Sequence, residues 1–248
     1  MRALATYSVK GGVGKTTTAV NLAYEAGRAG VRVLVWDLDP QGAATFLLRA
    51  RPKLRGGSRR LVGSHGELEP HIRATELDSV HVVPADLSLR HLDLHLDKAR
   101  KPSRRLGQLI EPISDRYDLL LLDCPPSISL ASESVIATVD GLLVPVVPAP
   151  LASRTLAQVA RLLRDQPEPP SLFPILSMVD KRRAVHRALV AELTADWPQL
   201  MPTAVPAAAV VERMGAERGP VGLIAPRSAA AEAYRSLWTD VASTLWSA

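Results

Sequence analysis

The sequence has one cysteine and few aromatic residues, and both shortages limit what the chain can be. Cys124 has no second cysteine to pair with, which excludes an internal disulfide and fits a reducing compartment. Aromatic residues make up 4% of the chain against 47% hydrophobic residues, so aliphatic side chains must fill the core. The six histidines are scattered without metal-ligand spacing, and we therefore expect no zinc site.

Long apolar runs are missing as well. No run is long enough to span a bilayer, and the first predicted strand begins almost at residue 1, which leaves no room for a signal peptide. We therefore expect a cytoplasmic protein with no transmembrane segment. The chain does carry a formal net charge of +5 and a pI of about 9.6. Such a basic surface suits nucleic acid or acidic lipid, although solvated arginines explain the charge almost as well.

A glycine-rich stretch near the start of the chain carries the strongest chemical signal. It lies between the apolar run Ala3 to Tyr7 and a helical pattern that begins at Ala19. Glycines at such a strand-to-helix turn allow close approach of a ligand, and the amides of the helix start attract an anion. The alternative is a glycine-rich turn without a ligand. The residues predicted to bind a phosphorylated nucleotide are Lys10, Gly11, Gly12, Val13, Gly14, Lys15, Thr16 and Thr17.

Two lysines distinguish this loop from the usual phosphate-binding pattern. The usual pattern has glycine at the place of Val9, and here a second lysine, Lys10, precedes the glycines. The segment from Lys10 to Thr17 resembles the deviant Walker A loop of the ParA/MinD family of ATPases. The resemblance implies that ATP and Mg²⁺ are the cofactors, that Lys15 contacts the phosphates and that Thr16 ligates the metal. It also implies that Lys10 reaches the phosphates held by a partner subunit in a dimer.

Acidic residues follow two of the predicted strands. Asp37 and Asp39 come after the apolar run Val31 to Trp36, and Asp123 ends the run from Tyr117. The carboxyl ends of strands in open α/β sheets are where ligands bind. The family resemblance makes Asp39 the residue that orients the attacking water and Asp123 a residue that holds Mg²⁺ through water. The alternatives are a polar turn for Asp39 and a helix cap for Asp123.

Later segments carry weaker signals. Asp180 follows the predicted strand Leu172 to Met178, and the resemblance places a residue of this kind beside the adenine base. The chain has two basic stretches, Arg49 to Arg60 and Lys98 to Arg105. The first is predicted to be a mobile loop that contacts DNA phosphates or is simply solvated. Five further arginines are candidate DNA phosphate contacts: Arg182, Arg183, Arg187, Arg213 and Arg218.

Alternation of predicted strands and helices along the chain indicates the fold class. Continuous apolar runs such as Leu119 to Leu122 suit parallel strands that are covered on both faces. We therefore expect an α/β fold with a single doubly wound, mostly parallel sheet and helices on both faces, as in P-loop NTPases. The expected domain organisation is a single ParA-like domain over residues 1–248, closed by a helix from Ser228 to Ser247.

The family resemblance implies an ATPase switch that dimerises around ATP and is stimulated by an adaptor protein. In the ParA branch the dimer binds non-specific DNA and localises to the nucleoid, whereas in the MinD branch it binds the membrane through a basic amphipathic tail. Residues 242–248 contain no Lys or Arg, which such a tail requires, and this favours DNA. The cargo stays open between a plasmid, a chromosome, and an assembly such as a carboxysome or a chemoreceptor cluster.

Two other classes of function remain as alternatives. The first is a metabolic enzyme that uses the same loop for ATP-dependent amide formation. Such an enzyme would want an added substrate domain, and 248 residues leave little length for one. The second is a nucleotide-binding module without hydrolysis, against which the presence of both Lys15 and Asp39 argues.

Overall fold

A computed structural model describes residues 1–246 of the chain. Its strands form one seven-stranded sheet in the order β3-β4-β2-β5-β1-β6-β7. Every strand pair is parallel except β3 with β4, which is antiparallel. The strands are β1 (Arg2–Thr6), β2 (Val33–Asp37), β3 (Arg73–Ala74), β4 (Val80–Val83), β5 (Leu119–Asp123), β6 (Gly141–Val146) and β7 (Ser171–Leu176). The prediction of a mostly parallel α/β sheet is confirmed.

Helices connect the strands, and the described residues form eleven α-helices. In chain order these are α1 (Lys15–Arg28), α2 (Ala43–Leu47), α3 (Gly57–Leu61), α4 (Leu92–Asp97), α5 (Arg105–Ile110), α6 (Leu130–Ile136), α7 (Ala152–Arg164), α8 (Ala184–Asp196), α9 (Ala209–Glu217), α10 (Val221–Ile224) and α11 (Ala229–Trp246). Short 3₁₀ helices occupy Glu69–His71, Leu87–His91, Pro102–Arg104 and Glu111–Arg116. Within residues 1–246, no helix has the length and apolar character that crossing a bilayer requires.

Alternate residues of the central strands point to two different hydrophobic cores. In β5, Leu120 and Leu122 join one core, whereas Leu119 and Leu121 join the other. All four leucines have a relative exposure of 0%. Burial on both faces is the reason for the unbroken leucine run, since neither face of the strand meets water. Of the two cores, the second also contains apolar residues of α1 and α11, and these two helices pack against each other.

Both edges of the sheet are covered or short. On one side, β3 contributes only two residues, Arg73 and Ala74, which pair with β4. On the other side, the amide of Met201 donates to the carbonyl of Pro174 in β7 at 2.8 Å, and the amide of Val205 donates to Leu176 at 2.8 Å. The segment after α8 therefore closes the outer edge of β7.

Several local predictions differ from the structure. The basic stretch Arg49 to Arg60 is not a loop throughout, because α3 begins at Gly57. In the predicted terminal helix, Leu237, Val241 and Leu245 form an apolar stripe that is buried in the core, whereas Trp246 is 45% exposed. Ser247 and Ala248, the end of that helix as predicted, lie outside the described residues. The structure also contains α9 and α10, two short helices that were not predicted from the sequence.

Candidate functional site

The glycine-rich loop joins the central strand β1 to α1. Gly12 and Gly14 have φ angles of +71° and +95°, a region in which residues with a side chain are strained. Gly14 is the N-cap of α1. Because glycine has no side chain that could cap the helix, its first amides are not occupied by the N-cap residue. A Cβ atom at Gly11 or Gly12 would meet nothing within 4 Å. The loop at these glycines therefore borders open space, which an anion site requires.

The two lysines of the loop differ in their surroundings. Lys15 is 7% exposed, and its Nζ donates to the backbone carbonyl of Lys10 at 3.3 Å. Burial lowers the pKa of Lys15, whereas the negative charge of Asp123 opposes that shift. Lys10 itself is exposed, and its amide donates to Ser8 Oγ at 3.2 Å. One ammonium group is thus held against the loop, and the other is free to contact solvent or another molecule.

A row of polar side chains lies where β2, β5 and β1 end. Asp37 and Thr6 are the register partners of Asp123 on its two sides. Thr6 Oγ1 donates to Asp123 Oδ1 at 3.0 Å, and Asp123 Oδ2 is buried without a hydrogen-bond partner among the described residues. Burial and the charge of Asp37 raise the pKa of Asp123, and hydrogen bonds from Thr16 and Thr6 oppose the rise.

This carboxylate is suited to a divalent cation. An unpartnered, buried carboxylate oxygen is costly unless a positive group compensates it, and hard cations prefer oxygen ligands. Thr16, the predicted hydroxyl ligand, lies within hydrogen-bond reach of Asp123. The residues present therefore fit the Mg²⁺ that the sequence predicted, and the roles of Thr16 and Asp123 as its ligands stay a prediction.

Asp37 also belongs to the site, and the sequence alone predicted no role for it. Its Oδ2 accepts hydrogen bonds from the amide and the hydroxyl of Thr45, both at 2.7 Å. Its Oδ1 accepts from the amide of Asp39 at 3.2 Å, and Thr45 Oγ1 accepts from the amide of Ala85 at 2.8 Å. Asp37 thus connects the segment that carries Asp39 with α2 and the end of β4. Its position at the end of a buried strand was the signal that pointed to it.

Asp39 lies half-buried in the turn after β2. Its Oδ1 accepts from the amide of Gln41 at 2.9 Å, and the amide of Gly42 donates to its backbone carbonyl at 2.8 Å. The charge of Asp39 also acts on Lys15, where it opposes the lowering of the lysine pKa. Asp39, Asp123 and both lysines therefore belong to one site around the glycine-rich loop.

Asp180 lies near this site, but its side chain is already occupied. Ser177, at the end of β7, would be 3.0 Å from a Cβ at Gly14, so the strand end approaches the loop. The carboxylate of Asp180 forms a bidentate pair with Arg182, at 3.0 Å to Nε and 3.2 Å to Nη2. This pair holds the pKa of Asp180 below its ordinary value. Its contact with an adenine base stays a prediction.

The five candidate DNA arginines fall into two groups. Arg182, Arg183 and Arg187 lie at the start of α8, and Arg187 donates to the carbonyl oxygens of Lys181 and Arg182. Arg213 and Arg218 lie on and just after α9. Arg213 pairs with Glu217, whereas Arg218 donates to the carbonyl of Phe46 and lies 4.5 Å from the centre of that ring. Their contact with DNA stays a prediction.

Comparison with known sequences agrees with this geometry. The profile of a family described as an AAA domain (AAA_31) matches residues 1–167. The chain is 34% identical to the chromosome-partitioning ATPase Soj of Thermus thermophilus over 248 aligned residues, which cover 97% of this chain and 95% of that protein. It is 29% identical to the sporulation initiation inhibitor protein Soj of Bacillus subtilis over 241 residues, which cover 94% and 95% of the two chains.

Comparison with solved structures agrees as well. Cobyrinic acid a,c-diamide synthase from Mycobacterium smegmatis, solved with bound ADP and magnesium, superimposes with a TM-score of 0.82 at 25% identity. The superposition covers 100% of this chain and 96% of that one. A glycine-rich loop between a central parallel strand and a helix, with acids at the ends of neighbouring strands, defines a P-loop NTPase fold. Within that class, the chain belongs to the ParA/MinD-type family of ATPases that act in partitioning or positioning, on the ParA (Soj-like) side.

Proposed function

We propose that this chain binds ATP with Mg²⁺, dimerises around the nucleotide and hydrolyses it, so that ATP and its hydrolysis switch a partitioning or positioning activity on and off. The observation that carries the proposal is the Oδ2 of Asp123, which is buried and has no hydrogen-bond partner among residues 1–246, while Thr16 and Lys15 of the glycine-rich loop act on the same carboxyl group. This arrangement supplies a place for a metal next to a place for phosphates. Phosphoryl transfer to water requires both of them close together.

Each predicted residue has a role in this proposal. The loop amides and Lys15 bind the β- and γ-phosphates, and Thr16 and Asp123 hold Mg²⁺. Bound Mg²⁺ supplies positive charge that neutralises the phosphate oxygens. Asp39 orients the water that attacks the γ-phosphate, and its carboxylate is held in the turn by Gln41. Asp180 remains the candidate contact for the adenine base.

Lys10 acts across the dimer. It is exposed, whereas the buried Lys15 already provides the ammonium of its own loop. In the proposed dimer Lys10 therefore contacts the triphosphate bound by the other copy, and the γ-phosphate stabilises the pair. Loss of the γ-phosphate by hydrolysis removes this contact and releases the dimer. Other nucleotide switches are likewise controlled by contacts to the γ-phosphate. An adaptor protein stimulates the hydrolysis.

The proposed ligand of the ATP-bound dimer is non-specific DNA. The net charge of +5 favours a polyanion such as DNA as the ligand. The apolar stripe of α11 argues against a membrane as the ligand. Leu237, Val241 and Leu245 of that stripe are buried in the core and are not available to insert into lipid. A MinD-like membrane ATPase therefore remains the second candidate. An ATP-dependent amide-forming enzyme is the third, because the chain superimposes on a diamide synthase over its full length.

The Lys10→Ala variant tests the switch. We expect wild type with ATP and Mg²⁺ to elute as a dimer on size exclusion with light scattering, and Lys10→Ala to remain monomeric while still binding a fluorescent ATP analogue. Lys53→Ala, which removes an exposed lysine away from the loop, is the matched control and should dimerise. A Lys10→Ala variant that dimerises as well as wild type would refute the cross-dimer contact.

The Asp39→Ala variant tests hydrolysis separately. It should still form the ATP dimer but release phosphate at least about a hundredfold more slowly, since positioning of a nucleophile contributes on this scale. Phosphate release that rises with added DNA or adaptor protein favours the positioning ATPase. A rate that rises only with an added carboxylic acid and an amine donor favours the amide-forming enzyme.

A further inference from the structure

A basic cleft lies away from the glycine-rich loop, between α3 and the segment from α4 to α5. It has a volume of about 840 Å³. Six positively charged or titratable basic side chains line it, and these define the basic cleft: Arg59, His95, Lys98, Arg100, Lys101 and Arg105. No acidic residue belongs to its lining in the part of the chain that the structure describes. The two basic stretches of the sequence, which are separated by about forty residues, therefore meet at one place.

Hydrogen bonds fix the walls of the basic cleft. The guanidinium of Arg105 donates to the carbonyl oxygens of Val62, at 3.1 Å, and of Gly63. Ser58 Oγ, which is fully buried, lies 3.0 Å from His95 Nδ1 and so joins α3 to α4. Arg105 thus serves to hold the floor of the cleft, and the remaining cations supply its free charge.

That free charge has no carboxylate partner in the described part of the chain. Among residues 1–246, no carboxylate lies within 4.0 Å of the charged groups of Arg59, Lys98, Arg100 or Lys101. Burial, and then the charges of neighbouring bases, lower the pKa of His95, as expected in a region of positive potential. By contrast, Arg182 and Arg213 each pair with a carboxylate, and Arg187 and Arg218 donate to backbone carbonyls.

We propose that the basic cleft is where the phosphate backbone of DNA binds, an inference that rests on the DNA binding in the proposed function. The lining contains no Phe, Tyr or Trp side chain among the described residues, whereas sites for single strands usually stack successive bases on such rings. Only Val62 and Ala99 are apolar, and an acidic peptide would need deeper apolar pockets for its anchor residues. Long, unpaired lysines and arginines suit phosphates at varying positions, as sequence-independent binding requires.

Two triple variants with equal loss of charge test the proposal. Lys98→Ala/Arg100→Ala/Lys101→Ala empties the cleft rim, and Arg154→Ala/Arg161→Ala/Arg164→Ala, which removes three exposed arginines of α7, is its matched control. Binding of a fluorescent duplex of random sequence is measured by anisotropy with ATP and Mg²⁺, between about 50 and 200 mM salt. Thermal unfolding of each variant checks that it is folded, and Lys98→Arg/Lys101→Arg tests whether charge alone is enough.

The cleft variant should bind at least about tenfold more weakly than wild type, and the slope of log K against log salt should fall by about 0.9 for each phosphate that the variant no longer neutralises. The control triple variant should keep the wild-type slope, and the arginine-for-lysine variant should keep the affinity. A reduced slope in the α7 variant alone, or in neither variant, would overturn the proposal while leaving DNA binding intact.

Failure of wild type to bind duplex DNA in any nucleotide state would overturn the DNA part of the proposed function together with this inference. In that case polyglutamate replaces the duplex in the same assay. If wild type binds polyglutamate and the cleft variant does not, the cleft is assigned to an acidic polypeptide. That result would also count against binding of a phosphate backbone.

Discussion

Thr45→Val removes one hydroxyl group at the centre of the contacts around Asp37. The side chain of Thr45 is 1% exposed, and valine has nearly the same shape. Because Thr45 Oγ1 accepts from the amide of Ala85, its single proton is directed to Asp37. The substitution therefore removes a hydrogen bond to a carboxylate and leaves a buried amide unpartnered.

The expected decrease in stability can be estimated from these two hydrogen bonds. A hydrogen bond to a charged group contributes about 1.5–3 kcal/mol, and an unpartnered buried amide costs about 1–3 kcal/mol. Allowing for the gain from an added methyl group, we expect the free energy of unfolding to fall by about 3 kcal/mol. For a chain of this size the melting temperature should fall by about 6–12 °C.

Urea unfolding without nucleotide, followed by circular dichroism, measures this decrease. The matched control is Thr194→Val, because Thr194 is exposed on α8 and bonds only the carbonyl of Val190 in its own helix. We expect the control to change stability by less than about 0.5 kcal/mol. A Thr45→Val effect no larger than that of the control would show that the contacts around Asp37 do not stabilise the fold.

Two further predictions concern pH and close packing. The pKa of Asp123 is raised from 3.8 to about 7, so the folded state binds more protons than the unfolded state in this window, and stability falls as pH rises through it. In nucleotide-free protein, urea titrations at several pH values measure this effect. Between pH 5 and pH 7 the Asp123→Asn variant should lose about 2 kcal/mol less stability than wild type. The control Asp165→Asn, which changes an exposed residue, should show the wild-type dependence on pH. Gly222→Ala should destabilise the folded protein by about 1–3 kcal/mol, because the added Cβ would lie 2.4 Å from the Tyr24 ring. Gly215→Ala in helix α9 should stabilise it by about 0.5–1 kcal/mol, because the added Cβ would meet nothing within 4 Å among the described residues. Equal effects of the two glycine substitutions in thermal unfolding, or an unchanged pH slope for Asp123→Asn, would contradict these assignments.

The patterns of residues within single segments predicted the strand and the helix that carry the candidate site. The leucine run before Asp123 predicted a buried strand, and the glycines before Lys15 predicted a turn into a helix, because in both cases neighbouring residues alone determine the structure. The start of α7 was less predictable, because a serine near the start of a helix is often its N-cap. Here the helix begins at Ala152, and Ser153 Oγ accepts a hydrogen bond from Trp197 at 3.2 Å instead of capping the helix.

Contacts between distant segments were not predictable in the same way. The bond from Thr45 to Asp37 depends on how α2 folds back on β2, and the basic cleft depends on the placement of α3 against α4. Asn21 gives another example, because its Oδ1 accepts from the amide of Val221, two hundred residues away in the chain. No periodicity within a segment encodes such pairs, and only the packed sheet brings them together.

The covered edges of the sheet restrict how several copies of this protein can assemble. Strand addition needs an exposed row of backbone amides and carbonyls, and β3 offers only two residues while the segment from Met201 to Val205 occupies the side of β7. A filament built by continuing the sheet from one molecule into the next is therefore disfavoured. Higher-order assembly must use side-chain contacts, which ligands and charge can reverse.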